Sequence, residues 1–311
     1  MRYLITGGSG VIGSHLAIHL ISRGDAVTVL DLLPSRTAGA AFVQGNVMDF
    51  EVMTPLIQHH DAVFHLAAIV GFARVMQEPI RTIRTSINGT QIVLELCRKF
   101  NKRLLFSSTS AIYGRTADSA RPVHESDPCK LGPPAVRSWC YAYAKAAEEC
   151  LALAYHQERQ VPVMIARLFN TVGPGQSAEA GFVLPRFVQA AICNQPLYVH
   201  SPGTQTRTFG HVKDVSEGLA TMMECDKAVG EIVNLGGTET ISMEGLADRT
   251  VELLESRSTV EIVPDPYGVG YENVAHRCPD LQKAARLFGY KPHRTLDEMI
   301  TDIAAAQTVA A

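Results

Sequence analysis

The chain has 311 residues, 46% of them apolar and 19% charged, with a formal net charge of −3. That is enough for one large or two small domains with a substantial core. The near-neutral charge excludes a surface built as a whole for nucleic acid or an anionic membrane.

No run of 18 apolar residues is present, and glycines 7, 8, 10 and 13 interrupt the apolar N-terminus, which argues against a membrane span and a signal peptide. The first elements are a short apolar run at 2–5 (RYLI), then GGSGVIG, then the apolar-periodic HLAIHLISRG closing on Gly24. This predicts strand, turn, helix and glycine stop. Strands are predicted at 26–31 (AVTVLD), 40–46 (AAFVQGN) and 62–68 (AVFHLAA). A helix follows at about 78–100, a strand at 103–108 (RLLFSS), a helix at about 138–158 and a buried-type strand at 161–169 (VPVMIARLF). Strands alternating with helices predict an α/β fold, a Rossmann-type doubly wound parallel sheet covered on both faces. After residue 169 glycine and proline become frequent and the alternation stops. Helices are expected there at about 181–193 and, behind Ser242, at about 243–256. Thr295 and Glu298 form a capping-box pattern before the last helix.

The seven cysteines, 97, 129, 140, 150, 193, 225 and 278, form no CxxC pair and no cluster of zinc spacing. The expectation is reduced thiols in a cytoplasmic protein, with no metal site.

Gly8-Ser9-Gly10-Val11-Ile12-Gly13 fits GxGxxG between a strand and a helix. Glycines there let the backbone approach a pyrophosphate, whose charge meets the free N–H groups of the helix start. Asp31 ends the second strand, 18 residues beyond Gly13. An acid at that place binds a ribose 2′-OH and repels a 2′-phosphate, which points to NAD rather than NADP, although Arg36 stands nearby. In YAYAK (141–145), Tyr141 and Lys145 are four apart and share a helix face, whereas Tyr143 points elsewhere. By itself that spacing fits a solvated helix face as well as a tyrosine base held by a lysine.

TGGSGVIG (6–13), HLAA (65–68), SSTSAIYG (107–114), YAYAK (141–145) and RLFNTVGPG (167–175) occur in the order and spacing of the extended short-chain dehydrogenase/reductases. Within them the chain resembles the nucleotide-sugar epimerase/dehydratase group, UDP-glucose 4-epimerase-like. GTQTRTF (203–209), HVKDV (211–215) and RCPD (277–280) carry the resemblance over nearly the whole chain. It implies an NAD-binding Rossmann domain over 1–169, with a return segment near 209–240. A nucleotide-sugar-binding lobe of mixed α/β character would comprise 170–208 and 241–311. Gly7, Gly10, Val11, Ile12 and Gly13 would line the NAD pyrophosphate, Asp31 would hold the adenosine ribose, Asn46 and Val47 would flank the adenine, and Leu66, Ala67 and Ala68 would border the cofactor. His65 would support that site structurally.

Thr109, Tyr141 and Lys145 would be the catalytic set. Tyrosine is a poor base at its ordinary pKa of about 10, so Lys145 and the cationic nicotinamide are expected to lower it. Tyr141 and Lys145 would also touch the cofactor. Asn170, Arg207 and Arg277 would hold the substrate diphosphate and nucleoside, arginine forks suiting phosphate. Asp280 would lie near the nucleotide ribose, and Leu184 and His200 would also contact substrate, His200 where an aromatic packs on the base.

The resemblance also separates reactions. Ser110 and Ala111 stand where 4,6-dehydratases carry an Asp–Glu pair, and Ala111 and Ala146 stand where UDP-glucuronate decarboxylases carry Glu and Arg. No Cys acid is present in that strand-end segment. The reading that follows is NAD-dependent C4 epimerisation of a UDP-hexose or UDP-hexuronate through a transient 4-keto sugar. The alternatives are a UDP-glucuronate decarboxylase or other nucleotide-sugar dehydratase or reductase, and a non-catalytic dinucleotide-binding sensor or scaffold. The resemblance further implies a homodimer paired through the helices at 78–100 and 138–158.

Overall fold

The computed structural model describes residues 1–35, 37–118, 121–265, 272 and 274–310; Arg36 lies outside the described residues. Its first half alternates strands and helices: β1 (Arg2–Thr6), α1 (Val11–Ser22), β2 (Ala26–Asp31), β3 (Ala41–Gln44), α2 (Phe50–His59), β4 (Ala62–His65), α3 (Phe72–Gln77), α4 (Pro79–Phe100), β5 (Arg103–Thr109), α5 (Cys140–Arg159) and β6 (Val163–Leu168). The second half contains β7 (Thr171–Val172), α6 (Val183–Ile192), β8 (Leu197–His200), β9 (Thr206–Thr208), β10 (Gly210–His211), α7 (Val212–Glu224), β11 (Ile232–Leu235), β12 (Thr240–Ser242), α8 (Met243–Leu253), β13 (Val260–Val263), β14 (His276–Arg277), α9 (Gln282–Phe288) and α10 (Leu296–Ala310).

Seven parallel strands form the central sheet in the order β11-β6-β5-β4-β1-β2-β3. The expected doubly wound sheet is therefore present. Period-two alternation sends Tyr3 and Ile5 of β1 into a core with α1 and α7, and Leu4 into a core with α2, α4 and α5. Every residue of β4 is buried, as a parallel strand covered on both faces requires. The strand order reverses between β1 and β4, and ligands of open α/β sheets bind at such a point, outside the strands' carboxyl ends.

Two of the four described helices missing from the sequence reading have local causes. Pro55 lies inside α2, which forms nonetheless: Asp49 accepts hydrogen bonds from Glu51 N and Val52 N at 3.0 and 3.2 Å, and Met53 and Ile57 are buried in the core. His211 Nδ1 starts α7 by accepting from Lys213 N at 3.0 Å.

The lobe has its own core, in which Leu184 and Phe187 of α6 pack with Leu246 of α8 and Met299 and Ile300 of α10. Its strands form small sheets, β12-β9-β14 and β13-β8. The capping box is formed: Thr295 N donates to Glu298 Oε2 at 2.6 Å and Glu298 N to Thr295 Oγ1 at 3.2 Å. Helices α4 and α5 pack side by side on the sheet, leaving Ile80 and Tyr143 exposed. No helix among the described residues is long and apolar enough to cross a membrane.

Candidate functional site

A cleft of about 550 Å3 runs along the carboxyl ends of β1, β4, β5 and β6 and is bounded on the other side by residues of α6, β8, β9 and β14. One end is backbone. Gly7 has φ +72°, and a Cβ there would stand 2.7 Å from the Ala67 backbone. A Cβ on Gly13 would stand 2.6 Å from Gly7 O, so only glycine lets α1 start so close to β1. Gly10 caps α1 without a side-chain hydrogen bond, and no acid occupies the first turn. Gly7, Gly10, Val11, Ile12 and Gly13 line the cleft, as do Leu66 and Ala68. This arrangement fits an anionic dinucleotide: an uncapped helix start with room for backbone approach.

Asp31 lies outside the cleft lining, at the end of β2. Its Oδ2 accepts from Ser9 N at 3.0 Å and its Oδ1 from Leu33 N at 3.1 Å, which ties it to the glycine loop. Each oxygen keeps a lone pair for another donor. Asn46 Oδ1 accepts from Met48 N at 3.0 Å, and Val47 is buried against Gly89. Ala67 N donates to Thr6 Oγ1 at 3.4 Å, and the same hydroxyl meets His65 Nδ1 at 2.7 Å. Burial, then the charge of Lys145, pushes His65 down to about 3, so it is neutral.

The middle of the cleft carries Thr109 and Tyr141. Thr109 ends β5, and its hydroxyl both accepts from Ala111 N at 3.2 Å and reaches the Tyr141 hydroxyl. The turn-capping role and the site position therefore coexist. Helix α5 is fastened to β6 by Arg167, which donates to Glu149 at 3.0 and 2.7 Å. Lys145 lies behind the cleft wall. Its Nζ donates to Ser107 O at 3.0 Å, sits 4.5 Å from the Phe106 ring and pairs with Glu148 at 2.9 Å. Burial pulls the ammonium's pKa down, but Glu148, Tyr141 and Glu149 outweigh it and hold it above the usual lysine value.

At Tyr141 the expected pull of Lys145 is set against burial. Part of Tyr141 opens onto the cleft, yet its surroundings are dense enough that burial raises its pKa above 10, more than Lys145 and Thr109 lower it. Glu148 pushes in the same direction as burial. The chain alone therefore keeps this group as a phenol. Tyr143 is a surface residue whose hydroxyl donates to Gly132 O at 2.8 Å.

The far end belongs to the lobe. Asn170, Leu184, His200, Arg207 and Arg277 all line the cleft. β9 and β14 are parallel with Arg207 and Arg277 in register, which places the two arginines side by side. Arg207 is positioned by bonds to the Thr206 and Ala275 carbonyls at 2.7 and 3.4 Å. Asn170 donates to Thr208 O at 3.3 Å. Burial, then Arg186, lowers the pKa of His200, which favours the neutral ring. Asp280 does not line the cleft; its carboxylate accepts from Gln282 N at 2.8 Å where α9 begins.

Sequence reasoning passed over Trp139, Phe187, Gln205 and Glu272, which also line the cleft. Glu272 Oε2 accepts from Trp139 Nε1 at 3.2 Å and from Arg115 at 2.9 Å. Trp139, the single tryptophan two residues before Tyr141, is the one of these that the sequence could have flagged.

The chain is 35% identical over 303 residues to the UDP-N-acetyl-alpha-D-glucosaminuronate decarboxylase of Bacillus cytotoxicus, covering 94% of this chain and 93% of that protein. Its structure is similar to UDP-glucose 4-epimerase from Thermotoga maritima with UDP-glucose (TM-score 0.90, 26% identity, 100% of this chain and 99% of that one). It is also similar to Thermus thermophilus UDP-glucose 4-epimerase in complex with NAD (TM-score 0.87, 26% identity, all of both chains). Residues 3–236 match the NAD dependent epimerase/dehydratase family, and the chain belongs to that family of NAD-dependent, nucleotide-sugar-modifying enzymes.

Proposed function

We propose that the chain oxidises C4 of a UDP-linked uronate and decarboxylates it through the resulting 4-keto sugar. One observation carries this reading: Thr109 and Tyr141 share a cleft with the registered pair Arg207 and Arg277, in a chain 35% identical to a UDP-sugar-uronate decarboxylase along 94% of its length. Tyr141 takes the proton of the C4 hydroxyl, Thr109 holds that oxygen, and Lys145 supplies the positive charge that steadies the phenolate. Arg207 and Arg277 grip the diphosphate. Asn170, Leu184 and His200 flank the nucleotide, whereas Asp280 acts from outside the cleft wall by starting α9.

Gly7, Gly10, Val11, Ile12 and Gly13 would hold the NAD pyrophosphate, Asp31 its ribose, Asn46 and Val47 the adenine, and Leu66 to Ala68 the rest of its length. NAD held there would supply the hydride acceptor for C4 and the hydride donor for its later reduction.

Oxidation at C4 makes the uronate a β-keto acid. The C5–C6 bond then breaks, carbon dioxide leaves, and the electron pair moves into the C4 carbonyl as an enolate. A proton is taken up at C5 before C4 is reduced. Carbon dioxide loss needs no protein carboxylate, so Ala111 is compatible with it, contrary to the elimination drawn from sequence.

C4 epimerisation is the second reading. Ala111 and Ala146 beside the Thr109, Tyr141 and Lys145 set favour it, because turning a 4-keto sugar over requires no further acid or base. Incubating the protein and NAD+ separately with UDP-glucuronate, UDP-N-acetylglucosaminuronate and UDP-glucose, followed by proton NMR, tests both. A new pentose signal with release of carbon dioxide is expected from a uronate. A C4 epimer growing to a fixed ratio without carbon dioxide overturns decarboxylation in favour of epimerisation.

A further inference from the structure

Tyr141, Lys145 and Glu148 stand at i, i+4 and i+7 of α5 and so share one helix face. The Glu148 side chain is 0% exposed and its Oε2 lies 2.9 Å from Lys145 Nζ, whose side chain is 2% exposed. Oε1 has no hydrogen-bond donor among the described residues. Burying a carboxylate is costly unless a cation pairs with it. Lys145 is that cation.

We propose that Glu148 is a positioning residue for the Tyr141–Lys145 pair, fixing the lysine ammonium and cancelling its charge beside the tyrosine hydroxyl. The inference rests on the reading of Tyr141 as the base. With Tyr141 protonated, Lys145 and Glu148 together carry no net charge. Ionising Tyr141 leaves the buried cluster at −1, which a low-dielectric site opposes. Were residue 148 neutral, the same ionisation would take the cluster from +1 to zero and would be favoured. Glu148 thus makes the base harder to ionise in this chain than the Tyr-Lys spacing alone implies.

The surrounding groups leave this balance in place. Glu149, next on the helix, is held by Arg167 of β6 at 3.0 and 2.7 Å. His65 of β4 is neutral, pushed down to about 3 by burial and then Lys145. From β5 only the Ser107 carbonyl and the Phe106 ring meet the ammonium. The buried residues of α4 carry no charge, and its Cys97 is pushed far up by burial and stays a thiol.

The test is a 13C NMR titration of protein labelled at the tyrosine Cζ, with Tyr141→Phe used to assign the resonance. Tyr141 is expected to ionise at least about one pH unit lower in Glu148→Gln than in the unchanged chain. Equal midpoints, or a higher one in Glu148→Gln, overturn the proposal. Glu148→Met, neutral and of similar length, is the second variant and is judged by the same criterion. Should neither fold, the unchanged chain still decides against it: a Tyr141 midpoint below the free-tyrosine value of about 10 overturns the proposal. Tyr141→Phe that turns over UDP-sugars at the full rate would sink the catalytic reading instead, and the titration would still report on Glu148.

Discussion

The wall that carries Tyr141 is one helix laid against β5 and β6, whereas the wall that carries Arg207 and Arg277 is stitched from strands whose partners Thr206 and His276 lie 70 residues apart. In the first wall, helical periodicity fixes which side chains face the cleft and which face the lysine behind it. In the second, nothing local brings the arginines together; the register of β9 and β14 does. The first wall keeps its charges out of reach, with Lys145 and Glu148 both buried. The second presents cations to an open cleft. Damage to the helix wall should therefore appear in the chemical step and damage to the strand wall in substrate binding.

The largest expected effect is at Tyr141. Tyr141→Phe keeps the ring and removes the proton carrier, so turnover should fall by roughly 10²- to 10⁴-fold. NAD should remain bound, read as nucleotide co-eluting with the protein on gel filtration. A loss smaller than about tenfold would mean that the phenol is not the base, and the contrast between the walls would collapse.

Gly7→Ala comes next and acts on backbone rather than chemistry. With φ +72° and a Cβ 2.7 Å from Ala67, the loop must shift to admit it. We expect a cost of about 1–3 kcal/mol in thermal unfolding, together with loss of retained NAD. An unchanged melting temperature would show that the loop adapts and that the close approach is not required.

Arg277→Met probes the strand wall. Charge-assisted bonds to a diphosphate contribute about 1.5–3 kcal/mol, so KM should rise by roughly ten- to hundredfold while kcat stays within a few-fold. A fall in kcat with KM unchanged would instead assign Arg277 to the reacting end of the sugar.

The same contrast governs what the sequence reveals. GGSGVIG and YAYAK are local patterns, and the structure keeps both in the context that their spacing implies. The sheet is equally legible, because parallel strands buried on both faces write continuous apolar runs such as AVF. What spacing does not encode is depth. Nothing in YAYAKAAEE says that Glu148 faces the lysine while Glu149 turns to Arg167, or that Tyr141 is buried enough for desolvation to outweigh a neighbouring ammonium. Nor does RCPD say that Asp280 accepts from Gln282 N outside the cleft lining. Helix α2 contains Pro55 and is held by the Asp49 cap together with Met53 and Ile57, whose burial no local pattern encodes.

The smallest expected effect separates the lobe's stability from its role as a wall. Thr295 and Glu298 cap α10, whose Met299, Ile300 and Ile303 enter the same core as Leu184 and Phe187 of the cleft lining. Thr295→Ala leaves an N–H at the helix start without its acceptor and should cost about 1 kcal/mol, seen as a modest drop in melting temperature. Because the core contacts of α10 remain, α6 keeps its place and KM should not change. A rise in KM would mean that the cap, through α10 and α6, holds the strand wall in position, and the lobe would then have to be regarded as one mechanical unit with the cleft rather than as a scaffold behind it.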